Sequence, residues 1–292
     1  MTAAVLCRGM GKPCLTGSSS MQLIGSGNNK DLYTLVSNTG ERLHSGDIIT
    51  LDGGNGKIHT GLHKTISFYD DEDFQTVLLW SDKFRKIKIE ATINKCNDIW
   101  EQIKIAKDYG ADGIGCINTD NMFHKNEDRL NLIRSILIKK DYHDKDIYFD
   151  LLKEFHREDF RLIFRAAVGS TISIKLLDKS LCDFLPSLQT DILSVATHLN
   201  LTITEIKSTI SLMKDINPSI GLRGCRITSF YPEITIMQIK AIISAVFDLI
   251  LEGIVIVPRI LVPMICTSHE FENVLKVIDK AAFEVCIYVC MR

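Results

Sequence analysis

Apolar and polar residues follow two different patterns along the chain, and the change between them falls near residue 66. In the first part, short apolar runs are separated by glycine-rich turns. Residues Asp47–Leu51 and Lys57–Thr60 alternate in the manner of two strands, and Asp52-Gly-Gly-Asn-Gly56 lies between them. The Asn-Gly pair supplies the positive φ angles that a tight hairpin needs. The pattern predicts a β-rich segment over residues 1–66.

A helix is predicted next, as a linker over residues 67–86. It starts in the acidic run Asp70–Asp73 and ends near Arg85. Acidic side chains in a first turn are favoured because they lie at the positive end of the helix dipole.

From residue 87 onward the pattern alternates between strand and helix. Strands are predicted at 87–93, 113–117, 171–177, 221–226 and within 254–265. Helices are predicted at 98–108, within 126–167, at 188–199, 203–214 and 232–251, and from 269. Thr202 and Glu205 have the spacing of a capping box. The last residues, which include Cys286 and Cys290, have the pattern of an apolar, strand-like tail.

Strands separated by helices of this length indicate an α/β fold with parallel βα units. About five such units fit between residues 87 and 292, whereas a closed (β/α) barrel of the TIM type has eight. We therefore expect an incomplete TIM-type barrel over this range.

Composition limits the function classes. Hydrophobic residues make up 46% of the chain and charged residues 24%, as in an ordinary globular protein. A net charge of −2 argues against nucleic acid or an anionic membrane as partner. The nine cysteines are scattered singly, which indicates reduced thiols and a cytoplasmic location. The apolar stretch 239–265 contains four charged residues and two prolines, so we expect no bilayer crossing.

The candidate chemistry lies where the predicted strands end, because βα loops carry the functional groups of such barrels. Asn118 follows the second strand, Lys175 and Asp178 lie on and after the third, and Arg223 and Arg226 lie on the fourth. Converging cations suit a strongly anionic ligand. The alternative is that they form structural ion pairs, with Asp178 or Asp120 as partner.

Four ordered segments resemble one family. The longest is Asn217–Gln238, which reads NPSIGLRGCRITSFYPEITIMQ, and the others are Arg8–Cys14, Asp112–Phe123 and Leu176–Pro186. Together they resemble the pyruvate, phosphate dikinases of the PEP-utilising enzyme family, where PEP is phosphoenolpyruvate. These enzymes convert ATP, pyruvate and phosphate to AMP, PEP and diphosphate through a phosphohistidine. The resemblance implies that residues 1–66 form the C-terminal part of a swivelling phosphohistidine domain. It also implies that residues 87–292 form the N-terminal part of a PEP/pyruvate-binding barrel.

The resemblance also assigns site residues. Asn118, Lys175 and Arg223 are implied to bind the substrate, although the family has arginine at the first two positions. These replacements weaken anion binding. An arginine guanidinium donates two parallel hydrogen bonds and carries a positive charge, whereas Lys keeps only the charge and Asn has neither property. Two further departures are Arg259, where the family has an acidic residue, and Cys266, where it has glycine.

No catalytic residue or metal ligand is expected in this chain. The family's phosphorylated histidine falls at Thr2, whose hydroxyl is no substitute for an imidazole nucleophile without an activating base. The family's Mg²⁺ ligands and catalytic cysteine lie on barrel strands that this chain is not expected to reach. Cys286 and Cys290 are better explained as buried thiols.

Three functions stay open at this point. The first is a dikinase fragment that is inactive alone. The second is a subunit of a split dikinase, completed by complementary fragments, or a homodimer held together by exposed sheet edges. The third is a non-catalytic protein that binds PEP, pyruvate or a similar anion.

Overall fold

The computed structural model describes residues 2–9, 12–25, 33–65, 71–93, 99–139, 145–217 and 220–290. The predicted linker residues 67–70, the predicted helix start at Asp98 and Pro218 lie outside these ranges. The chain divides into two compact units, Met1–Thr76 and Val77–Arg292.

The first unit begins with helix α1 (Thr2–Gly9). An antiparallel sheet follows, with strands β1 (Met21–Ile24), β2 (Thr34–Ser37) and β3 (Arg42–His44) in that order. Strands β4 (Ile49–Asp52) and β5 (Lys57–Thr60) form the predicted hairpin, with Asp52 opposite Lys57. Gly56 in its turn has φ +69°, a value that glycine adopts without steric cost. The hairpin prediction is confirmed.

Helix α2 (Glu72–Phe84) confirms the helix predicted after the acidic run, with Glu72 and Asp73 in its first turn.

The second unit is mixed α/β and contains a parallel sheet of β6 (Glu90–Ala91), β7 (Gly113–Asn118), β8 (Thr171–Lys175) and β9 (Pro258–Leu261). The strand order equals the chain order, and every neighbouring pair is parallel.

Helices connect these strands. Between β6 and β7 lies α3 (Ile99–Asp108), and between β7 and β8 lie α4 (Asp120–Phe123), α5 (Glu127–Ile138) and α6 (Lys145–Ala166). A 3₁₀ turn (Leu181–Phe184), α7 (Gln189–Leu199), α8 (Ile203–Met213), α9 (Cys225–Phe230) and α10 (Pro232–Leu251) separate β8 from β9. Helix α11 (Ser268–Cys290) follows β9. The predicted helices and the capping box at Thr202 and Glu205 are confirmed.

The core lies between one face of the parallel sheet and the helices. Ile114, Ile172 and Ile174 of the sheet are fully buried against a layer that includes Phe160, Phe164, Ile239 and Ile242. Burial of this apolar surface is the main source of the sheet's stability. A second cluster around Phe123 and Phe184 packs beneath α5, α7 and α10.

Three predictions about the second unit were wrong. Residues 221–226 form no strand: they make a turn that leads into α9, because Gly221 and Gly224 take positions where other backbone and side-chain groups approach too closely for a side chain. The parallel sheet therefore has four strands among the described residues, not about five, and these residues form no closed barrel. Cys286 lies on α11, which extends through the predicted strand-like tail to Cys290, and its side chain is exposed, so it is not the buried thiol that was expected.

Helix α10 is long and apolar enough to cross a membrane by length and composition. Half of its most apolar stretch is buried within the fold, and it packs against α6 and α11. A core helix of a layered α/β unit shows the same composition, so its apolar character is explained by burial between layers.

Candidate anion-binding site

The site begins at the ends of the two central strands. Asn118 is the last residue of β7, Lys175 is the last residue of β8, and their Cα atoms are partners in the parallel register. The carboxyl ends of parallel strands share one edge of the sheet, so the register holds the two side chains next to each other. The structure thus brings together two of the three predicted binding residues.

Asp178 links the third predicted binding residue, Arg223, to Lys175. Lys175 Nζ lies 3.2 Å from Asp178 Oδ2, and Arg223 Nη2 lies 3.3 Å from the same oxygen. Arg223 Nε also donates to the main-chain carbonyl of Asp178 at 3.1 Å. Two cations therefore share one carboxylate, so these three side chains together carry a net positive charge. The predicted structural pairing with Asp178 is present, and it places both cations at one point.

Two acceptors at this point are unsatisfied. Within the described part of the chain, Asn118 Oδ1 and Asp178 Oδ1 are buried and have no hydrogen-bond partner. Buried polar atoms are nearly always hydrogen-bonded, so each marks a position that a donor from a ligand or water would stabilise. Rotation of the Asn118 amide would present its NH₂ group to an anion instead.

Arg226 takes a different role from Arg223. Its Nη1 donates to the main-chain carbonyls of Ile220 and Gly221, at 3.0 and 3.2 Å. These bonds brace the turn that carries Arg223. For Arg226 the structural interpretation is therefore the better one.

The turn itself depends on close approaches at two glycines. A Cβ at Gly221 would lie 2.2 Å from the Asp215 carboxyl carbon, and Asp215 also accepts a hydrogen bond from Leu222 N at 3.1 Å. Gly224 has φ +58°, and a Cβ there would lie 2.6 Å from Met264 Cβ. The glycines thus let the Arg223 turn pack against two neighbouring loops.

Three supporting residues were missed or misassigned from the sequence. Gln238 of α10 accepts from Leu177 N at 3.2 Å and donates to Thr119 Oγ1 at 2.9 Å, and Thr119 donates to the Lys175 carbonyl at 2.9 Å. Gln238 is the only amide side chain on α10, which was the available signal. Asp120, considered above as a partner for the cations, accepts from the main-chain N–H groups of Asp178 and Lys179.

A further basic pair lies on the same loops. Lys179 Nζ is 3.2 Å from His124 Nε2, and the His124 ring stacks on Phe184 with 5.0 Å between ring centroids. Burial lowers the pKa of His124, and the charge of Lys179 lowers it further. A neutral imidazole is favoured, and its unprotonated Nε2 can accept a hydrogen bond from the Lys179 ammonium group.

The residues do not fit Mg²⁺ at this point. Mg²⁺ needs several oxygen ligands, but the two unsatisfied oxygens here, on Asn118 and Asp178, stand beside Lys175 and Arg223, whose charges would repel a metal cation. In the ranges that the structure describes, no group of three His, Cys, Asp or Glu residues is placed to hold a metal ion. Thr2 lies in α1, and its side chain is outside the described set.

Comparison with known protein families gives one match over most of the chain. Residues 70–288 match the family described as PEP-utilising enzyme, PEP-binding domain. The match covers the whole parallel sheet and the loops that carry Asn118, Lys175 and Arg223.

Curated relatives are also similar. The chain is 32% identical over 286 residues to the chloroplastic pyruvate, phosphate dikinase of Flaveria pringlei, 34% identical over 284 residues to the enzyme of Giardia intestinalis and 31% identical over 284 residues to that of Clostridium symbiosum. Each alignment covers 97% of this chain but only 29% or 31% of the relative. The chain therefore spans about three tenths of the length of these relatives.

Proposed function

Because the chain belongs to the PEP-utilising enzymes through their PEP-binding domain, we propose that its strand-end site binds a small phosphate- or carboxylate-bearing anion of the PEP class. The observation that supports this most directly is the convergence of Lys175 and Arg223 on one oxygen of Asp178. Three charges within hydrogen-bonding distance form the kind of arrangement that an anionic ligand can enter.

Asp178 acts in this proposal as an internal counter-ion. Its carboxylate holds the two cations in place until a ligand anion competes for them. A charged hydrogen bond contributes about 1.5–3 kcal/mol, so a ligand must replace these bonds to gain affinity. Since Asn118 and Lys175 stand where the resemblance implies arginines, binding is expected to be weaker than in a site with both forks.

The same proposal holds that this polypeptide does not transfer a phosphoryl group by itself. Thr2 stands where the resemblance places the phosphorylated histidine. A threonine hydroxyl needs an activating base to act as a nucleophile, whereas a neutral imidazole does not. The full dikinase reaction of the relatives then requires a histidine from elsewhere.

Calorimetric titration with PEP tests the binding part. The wild-type chain is expected to release or take up heat with a single-site isotherm, and Lys175→Ala and Arg223→Ala are each expected to weaken binding at least tenfold. Lys207→Ala is a matched control, because Lys207 is exposed on α8 and belongs to neither strand end nor the Arg223 turn. Binding that is absent in the wild type, or equal in all four proteins, contradicts the proposal.

Incubation with PEP labelled on its phosphate tests the second part. No acid-labile phosphoprotein is expected, and no pyruvate should accumulate above a blank. Stoichiometric labelling of the purified chain would overturn it.

A companion polypeptide is a second candidate, and one observation favours it. Among the residues that the structure describes, β6 and β9 are the edge strands of the parallel sheet, and Arg259 and Leu261 of β9 are exposed. Unpaired edges of a parallel sheet are usually covered, because parallel sheets are normally buried. The companion would add strands at β9 to extend the sheet towards a barrel.

Hydrogen exchange at the β9 amides tests this candidate. Addition of a polypeptide that carries the remaining C-terminal part of the Giardia intestinalis relative should slow exchange there and produce PEP-dependent turnover. Unchanged exchange would exclude pairing with that segment. Slowed exchange that depends on the concentration of this chain alone would indicate a homodimer instead.

A further inference from the structure

Two thiols meet at one main-chain oxygen beside the Arg223 turn. Cys225 Sγ donates to the Met264 carbonyl at 3.2 Å, and Cys266 Sγ lies 3.7 Å from the same oxygen. Two atoms that contact one oxygen are separated by no more than the sum of these distances. The sulfurs of Cys225 and Cys266 are therefore neighbours although the two residues lie far apart in the sequence.

The two thiols differ in access. Cys225 is buried at the start of α9, and burial raises the pKa of its thiol. Cys266 is exposed in the segment between β9 and α11, and Arg226 Nη2 lies 4.0 Å from its sulfur. An oxidant in solution can therefore react with Cys266 first, because the Cys225 thiol is buried and inaccessible to it.

The backbone holds both residues in place. Cys225 N donates to the Pro263 carbonyl at 3.0 Å, and Cys266 N donates to Glu270 Oε2 at 2.8 Å. Met264 between them has φ +64°, which turns the chain sharply at the shared carbonyl. These backbone hydrogen bonds fix the positions of both loops, so the main chain itself holds the two thiols close together.

We propose that Cys266 and Cys225 form a redox pair that a hydroperoxide converts to an intramolecular disulfide. The Cys266 thiolate attacks the O–O bond of the hydroperoxide, which yields a sulfenic acid on Cys266 and releases the alcohol. The Cys225 thiol then attacks the Cys266 sulfur, forms the S–S bond and expels water. Two thiols and one hydroperoxide thus give one disulfide, one alcohol and one water.

The crosslink would join the first turn of α9 to the segment after β9. Cys225 lies two residues beyond Arg223, so the disulfide would fasten the turn that carries this arginine. Cys266 is also one of the two departures from the resembled family at the end of the sheet, and the pairing gives that cysteine a chemical role. The disulfide is expected whether or not PEP binds.

Peptide mapping tests the proposal. The full chain is treated with hydrogen peroxide, blocked with N-ethylmaleimide and digested with trypsin without reductant. Cleavage at Arg223, Arg226, Arg259 and Lys276 should give the short peptide 224–226 joined to the peptide 260–276, lighter by two hydrogens than the sum of the two. Dithiothreitol before digestion should separate them.

Two variants complete the experiment. In Cys266→Ser the joined peptide should vanish, and Cys225 should be recovered as a thiol that N-ethylmaleimide labels after unfolding. In Cys182→Ser, which removes a partly buried thiol elsewhere on the strand-end loops, the joined peptide should persist. Oxidation of Cys266 to the sulfinic acid with Cys225 still reduced, or a disulfide of Cys266 with any other cysteine, would overturn the pairing.

Discussion

Glu90 and Arg259 form an ion pair although they stand on opposite edge strands of the four-stranded parallel sheet. Glu90 also accepts hydrogen bonds from Thr171 Oγ1 at 2.8 Å and Ser173 Oγ at 3.0 Å, both on β8. Its side chain crosses β7 at Gly115, where a Cβ would lie only 2.2 Å from Glu90 Oε2. The Glu90 carboxylate, which starts on β6, thus passes over β7 and contacts side chains on β8 and β9, so one side chain links all four strands on this face of the sheet.

The ion pair with Glu90 gives a structural reason for Arg259, which departs from the resembled family. Arg259 stands where an acidic residue is expected, and an acid there would face the Glu90 carboxylate. The arginine gives Glu90 an opposite charge and so fits the rest of the polar face.

A charge exchange between these two positions tests the contact. Arg259→Glu is expected to lower the free energy of unfolding because it sets two carboxylates together, and Glu90→Arg with Arg259→Glu should recover part of the loss. Since Arg259 is 57% exposed, we expect a coupling energy of only about 0.5–1 kcal/mol. Urea unfolding of the wild type, Glu90→Arg, Arg259→Glu and the double variant measures it. A coupling energy of zero would show that the pair contributes nothing to stability.

Gly224→Ala is expected to destabilise the second unit more than Gly169→Ala does. Both glycines have positive φ, +58° and +80°, so both variants suffer about 1–3 kcal/mol of backbone strain. Only at Gly224 does the new Cβ also collide, at 2.6 Å from Met264 Cβ, whereas Gly169 has open space. Overpacking of this kind costs about 1–3 kcal/mol more. Equal losses in thermal or urea unfolding would contradict the close approach.

His156 should make the fold sensitive to mild acid. The residue is completely buried, its ring lies edge-on to Phe123 at 4.6 Å between centroids, and in the described structure neither ring nitrogen has a hydrogen-bond partner. Its pKa is lowered from 6.5 to about 3, mainly by burial and also by the charge of Arg129, against an opposing effect of Asp159. The folded state keeps His156 neutral while the unfolded chain binds a proton below pH 6.5.

The contribution of neutral His156 to the free energy of unfolding is therefore complete above pH 6.5 and is lost as the pH falls towards 3. The loss amounts to about 1.4 kcal/mol per pH unit, or about 2 kcal/mol at pH 5. Urea unfolding at pH 7, 6 and 5 should show this slope in the wild type and a smaller one in His156→Phe. His198→Asn, at an exposed position of α7, should leave it unchanged. Asp159, whose pKa is lowered by Arg129 and Lys125 against the effect of burial, loses its contribution only at lower pH.

Restoring arginines at the strand ends should strengthen anion binding. Asn118→Arg with Lys175→Arg would provide two guanidinium forks where the present residues offer an amide and a point charge. With about 1.5–3 kcal/mol for each charged hydrogen bond, PEP affinity should rise at least tenfold in calorimetry. Lys207→Arg is the surface control. An unchanged affinity would mean that PEP, if it binds, does so away from β7 and β8.

Much of this architecture follows from local chemistry. The hairpin at Asn55-Gly56, the capping box at Thr202 and the Pro232 start of α10 each depend on residues within four positions of one another, so the sequence alone predicts them. The segment Gly221–Arg226 was misassigned because its apolar residues imitate a strand. Its actual shape depends on Asp215 and Met264, which a local pattern does not contain.

By itself the sequence determined the alternation of strands and helices, the polar positions at the strand ends and the family resemblance, because periodicity and motif are properties of neighbouring residues. Tertiary structure alone decided which charges meet. The parallel register sets Asn118 beside Lys175, and the Arg223 turn packs back onto Asp178 from 45 residues away. Such pairings depend on how loops pack in three dimensions, since electrostatic and hydrogen-bonding energies act over a few ångströms of space regardless of distance along the chain.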